Sequence, residues 1–213
     1  MTVPYYIPPE QLVREKTEFA RKGIARGRSI VAIEYAEGVL LLAENPSTAL
    51  RKISEMYDHI AFAGVGRYNE YETLRKAGIR QADLMGYLYS REDVKAQALA
   101  TNFSEALGAI FSREPKPFEV EVLVVEAGEP NRLFRIAYDG TLNDERQIAA
   151  IGGKADALTE ALRAGWREDL SLEDALALGE SAFHKAEGRD SEGWEAAVLE
   201  RVPGRRGFRR LQL

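Results

Sequence analysis

Two adjoining strand patterns constrain this chain more than any other feature. Ser29-Ile30-Val31-Ala32-Ile33-Glu34-Tyr35 runs through the turn Ala36-Glu37-Gly38 into Val39-Leu40-Leu41-Leu42-Ala43. Two short β-type runs with glycine at the turn predict a hairpin. The second run is apolar on both faces. Successive strand side chains point to opposite sides, so a run without alternation must be covered from above and below. Such a strand belongs in the middle of a sheet that lies between two other layers.

The remaining patterns supply those layers. Pro8 and Pro9 stand at a helix entrance, and the spacing predicts a helix over 10–26. Its Leu12, Val13, Lys16, Phe19, Ala20 and Ile24 form one mostly apolar stripe, with Gly27 as the stop. The loop Asn45-Pro46-Ser47-Thr48 leads to strands near Arg51–Ser54 and Ile60–Gly64. Helices follow over 68–86 and 91–112, the second with Ser90 as its cap. Arg113-Glu114-Pro115-Lys116-Pro117 breaks the pattern. Strands over Phe118–Ala127 and Leu133–Tyr138, the turn Asp139-Gly140 and a short strand over Gln147–Ile151 come next. Two more helices span 154–166 and 172–187, with Ser171 as a cap. Glu195–Val202 is the last clear strand, and 208–212 is placed to pair with it.

Strands therefore come in runs and helices in pairs, which a parallel βαβ fold does not produce. The expected fold is α+β: a four-layer αββα sandwich, two antiparallel sheets between helix pairs, with an extra N-terminal helix. One domain is expected over 9–213, preceded by a tail over 1–8.

Composition narrows the chemistry. There is no cysteine, so disulfides, thiolate metal sites and a cysteine nucleophile are excluded. His59 and His184 are the only imidazoles and lie far apart in sequence, which argues against a Ser-His-Asp triad or a His-rich metal site. No metal and no cofactor are expected. No run approaches the ~20 apolar residues of a membrane span, and the N-terminus lacks a basic segment followed by an apolar one. The expectation is a cytoplasmic protein without a membrane partner. A net charge of −5 argues against general nucleic-acid binding. The basic cluster Arg201, Arg205, Arg206, Arg209 and Arg210 reads either as a solvated end or as a contact with an acidic neighbouring subunit.

Several segments, in this order, carry a family resemblance. They are Pro9-Glu10-Gln11 with Ala20-Arg21-Lys22-Gly23-Ile24-Ala25-Arg26, Glu44-Asn45-Pro46-Ser47 with Leu50-Arg51-Lys52-Ile53-Ser54-Glu55, Lys116-Pro117-Phe118-Glu119-Val120, Tyr138-Asp139-Gly140 and Phe208-Arg209-Arg210. Together they resemble α-type subunits of actinobacterial 20S proteasomes, within the proteasome α/β superfamily and its N-terminal-nucleophile hydrolase fold. The resemblance covers nearly the whole chain. It implies a heptameric outer ring that stacks on β-type subunits, admits unfolded substrates and docks a hexameric ATPase or another activator through C-terminal tails.

Proteolytic members of that superfamily attack with an N-terminal threonine whose free amine, or a nearby lysine, handles the proton. Here Arg28 stands at the corresponding strand start and has no nucleophilic hydroxyl. It follows a full helix, so its nitrogen lies in a peptide bond. Glu44 replaces the carboxylate expected after the second strand, and Gly152-Gly153-Lys154 occupies the stretch of a supporting serine. No catalytic residue is assigned. The rival reading is an autonomous N-terminal-nucleophile peptidase using Thr2 or a processed Ser29. Thr2, however, is followed by Val3-Pro4-Tyr5-Tyr6-Ile7-Pro8-Pro9, and three prolines do not suit a buried first strand.

The resemblance implies other roles. Lys52 matches a lysine that lines a pocket between neighbours and receives an activator's terminal carboxylate, where a charge-assisted hydrogen bond is available. A strand lysine facing water is the alternative. Gly27 reads as a close-approach point for a ligand backbone or as a simple helix stop, and Arg67 as another wall of the pocket. Thr2, Val3, Pro4, Tyr5, Tyr6, Ile7 and Pro8 form the gate candidate, against the alternative of an ordinary frayed terminus. The Arg113–Pro117 loop corresponds to one that faces the channel.

Overall fold

In the computed structural model, residues 8–202 and 206–213 are described. The elements are α1 (Pro9–Ala25), β1 (Ile30–Tyr35), β2 (Gly38–Glu44), β3 (Ile53–Tyr57), β4 (Ile60–Gly66), α2 (Tyr68–Leu88), α3 (Ala96–Arg113), β5 (Val120–Glu126), β6 (Arg132–Ile136), β7 (Leu142–Glu145), β8 (Ile148–Ile151), α4 (Ala155–Gly165), α5 (Leu172–Glu187), β9 (Trp194–Glu200) and β10 (Phe208–Leu211). One five-stranded sheet has the order β10-β9-β2-β1-β8, the other β3-β4-β5-β6-β7, and all pairings are antiparallel. Helices α4 and α5 cover the first sheet, and α2 and α3 cover the second. The four-layer αββα sandwich expected from the sequence is the fold observed.

Strand β2 shows why. All seven of its residues are buried, and it is the central strand of its sheet. Val39, Leu41 and Ala43 join the core between the sheets, whereas Leu40 and Leu42 join the core under α4 and α5. Strand β5 divides in the same way: Leu123 and Val125 face the inner core, Val122 and Val124 the helix-covered one. Unalternated apolar runs thus produce sheets with two buried faces.

Four details differ from the sequence expectation. Ser90 caps a single 3₁₀ turn over Arg91–Asp93, its hydroxyl accepting from the Glu92 N–H. Buried Val94 then takes an extended conformation, and α3 begins at Ala96, whose N–H donates to Glu126 at 2.9 Å. A long-range acceptor replaces the local cap. Strand β3 lies at Ile53–Tyr57, displaced from 51–54, because Ile53 is the residue that reaches the inner core. Strand β7 was not expected: Leu142-Asn143-Asp144-Glu145 has no buried residue and exists because β6 offers it a ladder. The C-terminal arginines are solvent-facing but each described one has a partner within the chain. Arg206 pairs with Glu55, Arg209 with Glu200 (2.6 Å) and Arg210 with Glu195 (3.1 Å), while Arg201 donates to the Ala36 carbonyl. Arg205 lies outside the described residues.

Helix α1 lies against β4 and β5. Of its stripe only Lys16, Ala20 and Ile24 are buried; Leu12, Val13 and Phe19 remain 43, 51 and 44% exposed. Lys16 is the anchor. Its ammonium donates to the carbonyls of Phe111 (2.9 Å) and Glu114 (2.7 Å), at the end of α3 where helix carbonyls lack partners. Lys16→Met is expected to lower the unfolding free energy by about 1–2 kcal/mol. Thermal denaturation reads the loss, and hydrogen exchange should quicken at the end of α3; equal melting curves would remove the anchor role.

Candidate functional site

The candidate site gathers where α1 hands over to β1. The helix closes with the Gly27 N–H on the Ile24 carbonyl (2.9 Å), and β1 begins three residues later. Gly27 is packed against β4: a side chain there would meet Val65 Cγ1 at 2.7 Å and the Gly66 nitrogen at 3.0 Å. The close approach at Gly27 is therefore made by the chain's own strand.

Arg28 lies in the link between α1 and β1, two residues before the strand begins. Its guanidinium pairs with Glu44 and, at 3.0 Å, with Glu192. Glu44 is 1% exposed and also receives both Nη atoms of Arg189 (2.8 and 3.0 Å) and the Glu192 N–H (2.9 Å). Burial alone would raise this carboxyl. The Arg189 hydrogen bond, the Glu192 N–H and the two guanidinium charges outweigh it and hold the group below the usual carboxylate range. Glu44 is thus a saturated anion, with no spare capacity to act as a base.

Ser29 is buried, and its hydroxyl accepts from the Lys154 N–H at 3.3 Å. Gly152 packs onto Ser29, and Gly153 onto the end of α1 at Ala25. Buried Glu121 accepts from the Gly152 N–H (2.9 Å) and from Arg135 (2.6 Å), fixing this turn. The turn after β8 thus packs on the end of α1 and on Ser29.

Lys52 reaches the same junction from the segment leading into β3. Its ammonium donates to the Arg28 carbonyl at 2.6 Å, and its own carbonyl accepts from the Gly64 N–H of β4. Burial pushes this ammonium down to about 8; Arg28 adds to the fall, and Glu195 and Glu44 partly offset it. Arg67, the residue before α2, is exposed, and its side chain turns onto buried Glu119 at 2.9 Å. Lys116 bridges Glu119 (3.2 Å) and Glu70 (2.6 Å) beside it. The fold therefore brings Lys52, Gly27 and the Gly66–Arg67 step to one junction, with the Arg67 charge directed at Glu119. Of the gate candidates, Pro8 is described: its carbonyl accepts from Gln11 and Leu12 and starts α1. Thr2, Val3, Pro4, Tyr5, Tyr6 and Ile7 lie outside the described residues.

Sequence reasoning passed over Arg189 and Glu195 as site residues and read Arg210 only as part of a basic cluster. The available signal for Glu195 was a lone carboxylate opening the apolar run Ala196-Ala197-Val198-Leu199. Among the described residues, no group of three or more His, Cys, Asp or Glu is arranged to hold a metal ion. No helix among them is long and apolar enough to cross a membrane.

Two antiparallel sheets between helix pairs, with an additional helix ahead of the first strand, define an αββα sandwich protein. Residues 24–200 match the family described as Proteasome subunit. The chain is 49% identical to Proteasome subunit alpha of Xylanimonas cellulosilytica, over 99% of this chain and 93% of that protein. It is 48% identical to the protein of the same name from Thermomonospora curvata (99% and 94% covered) and 50% identical to that from Saccharopolyspora erythraea (99% and 85%). The chain belongs to the proteasome subunit family, and these relatives are of the alpha type, as the sequence resemblance implied.

Proposed function

We propose that this chain is the non-catalytic, ring-forming and gating subunit of a bacterial 20S proteasome core in the cytoplasm. Copies of it form the outer heptameric ring, the β-type partner carries the threonine chemistry, and the outer surface docks a hexameric ATPase or another activator. The observation that carries this reading is the occupied link into the first strand. Arg28 is in peptide linkage behind α1, its side chain is paired with Glu44, and the Lys52 ammonium directs one of its three donors at the Arg28 carbonyl. Catalysis needs a free nucleophile within reach of a base. This junction instead presents a partly buried ammonium of the kind that pairs with a terminal carboxylate.

Two further features support assembly. Leu12, Val13 and Phe19 give α1 an apolar face that the other described residues cover only in part. Helix α1 also carries the tail 1–8, so copies around a ring axis would bring their tails together over a pore. The rival peptidase reading uses either a processed Ser29, whose hydroxyl is buried and accepts from the Lys154 N–H, or Thr2, which lies outside the described residues.

Native mass spectrometry of the chain co-expressed with the β-type subunit of its host tests the assembly. The expected particle contains equal numbers of the two chains, and deletion of residues 2–8 is expected to raise its basal peptide hydrolysis several-fold by opening the pore. A monomer or dimer with intrinsic peptidase activity would overturn the assignment, and unchanged hydrolysis after the deletion would remove the gate.

A further inference from the structure

Lys52 stands at the end of a loop whose geometry is set by one buried carboxylate. Glu195, at the start of β9 and 4% exposed, accepts from Asn45 Nδ2 (2.7 Å), the Lys52 N–H (2.9 Å), the Ile53 N–H (3.2 Å) and Arg210 Nη1 (3.1 Å). Asn45 closes the loop from within by donating to the Leu50 carbonyl (2.8 Å) and accepting from the Ser47 N–H (3.1 Å). Arg210, on edge strand β10, clamps the other side by donating to the Ile53 carbonyl at 2.9 Å. A carboxylate with four donors, buried at the base of a loop, costs free energy to desolvate. Here the four donors offset that cost.

We propose that Glu195, braced by Arg210, is a positioning residue for Lys52: it stakes down the 45–52 loop through the Lys52 and Ile53 N–H groups and places a buried negative charge beside the lysine that meets an incoming carboxylate. This rests on the docking role proposed above for Lys52. The groups that act on the ammonium are Glu195 from β9, Glu44 from β2 and Arg28 from the α1–β1 junction. Glu44 is shared by Arg28 and Arg189 and Glu195 is paired with Arg210 alone, so Glu195 is the stronger opposing charge. Tyr71 of α2 is electrostatically coupled to Glu195 as well; its hydroxyl is raised by burial and by that carboxylate and stays neutral.

The sign follows from linkage. A docking carboxylate favours the charged lysine, so affinity is full below the free-pocket value near 8 and falls as pH rises through it. Loss of the Glu195 charge moves that fall to lower pH. Loss of Arg210, which offsets part of the Glu195 charge, moves it to higher pH.

The probe is a fluorescent peptide bearing the C-terminal sequence of the host's proteasomal ATPase, titrated onto cores assembled with the β-type partner across about pH 6–10. The same peptide amidated at its C-terminus is the control. Glu195→Gln is expected to shift the midpoint downward and to weaken carboxylate-peptide binding at about pH 8 roughly fivefold. Arg210→Met is expected to shift it upward and, at a 41% exposed side chain, to assemble even should Glu195→Gln not. A purely structural role would move neither midpoint. Unmoved midpoints, with the carboxylate preference abolished by Lys52→Ala, would overturn this inference and leave the docking role standing. A carboxylate preference that survives Lys52→Ala would overturn the docking role, and the inference with it.

Discussion

Lys52→Ala, assembled with the β-type partner, is expected to leave rings and basal peptide hydrolysis intact and to reduce activator-stimulated degradation at least tenfold. A hydrogen bond to a charged group contributes about 1.5–3 kcal/mol, or roughly 10–150-fold in affinity. Several tails docking on one ring would compound the loss, because each bound tail raises the effective concentration of the next. The substitution should cost little stability. The ammonium is held in a desolvated position that pushes its pKa down to about 8, so its removal also removes an unfavourable burial. The pairing of a near-normal melting temperature with failed stimulation separates a docking lysine from a structural one. Stimulation equal to wild type would dismiss Lys52 from the pocket; a large fall in melting temperature would reassign it to holding the α1–β1 junction through the Arg28 carbonyl.

Gly66→Ala carries the largest expected effect on stability. Gly66 ends β4 at φ +109, and a Cβ there would sit 1.9 Å from the Glu119 carbonyl oxygen. That oxygen accepts the Arg67 N–H at 3.0 Å and belongs to the segment that enters β5. Backbone meets backbone, so no flexible side chain can yield. Strain at such a φ costs about 1–3 kcal/mol and overpacking a similar amount, for a combined loss of about 3 kcal/mol or more. In a domain of this size that lowers the melting temperature by roughly 6–12 °C. Gly188→Ala is the control. Gly188 ends α5 at φ +68, and a methyl group added there would have no neighbour within 4 Å, so the substitution meets only the conformational penalty of about 1 kcal/mol. Equal losses at the two positions would show that the β4–β5 contact gives way freely. Since Gly27 packs on the same β4 segment, Gly66→Ala should also disturb the junction that holds Lys52.

Legibility in the sequence tracked the range of the interactions involved. The hairpin β1–β2, the helix pairs and the cap at Ser171 depend on neighbours in the chain and were readable from period and turn chemistry. The start of α3 was misplaced because Glu126, far along the chain in β5, supplies the partner for its first N–H. Strand β7 was invisible because an exposed edge strand needs no apolar pattern when its neighbour supplies the ladder. The C-terminal arginines read as a solvated end or as a contact for a neighbouring subunit, since nothing local reveals their ion pairs with Glu55, Glu195 and Glu200.

The candidate site divides along the same line. The amino-acid order by itself determined that the link into the first strand holds Arg28 rather than a threonine, that a helix precedes it, and that β2 must be buried on both faces. Those are properties of residue type and short-range pattern. Only the tertiary structure decided what surrounds Arg28: Glu44 neutralised by two arginines, Lys52 donating to the Arg28 carbonyl, and Glu195 drawing together Asn45, the 52–53 backbone and Arg210. A buried charge is tolerable only where the fold supplies its counter-charge and donors, and here those partners come from positions up to 150 residues apart in the order of the chain.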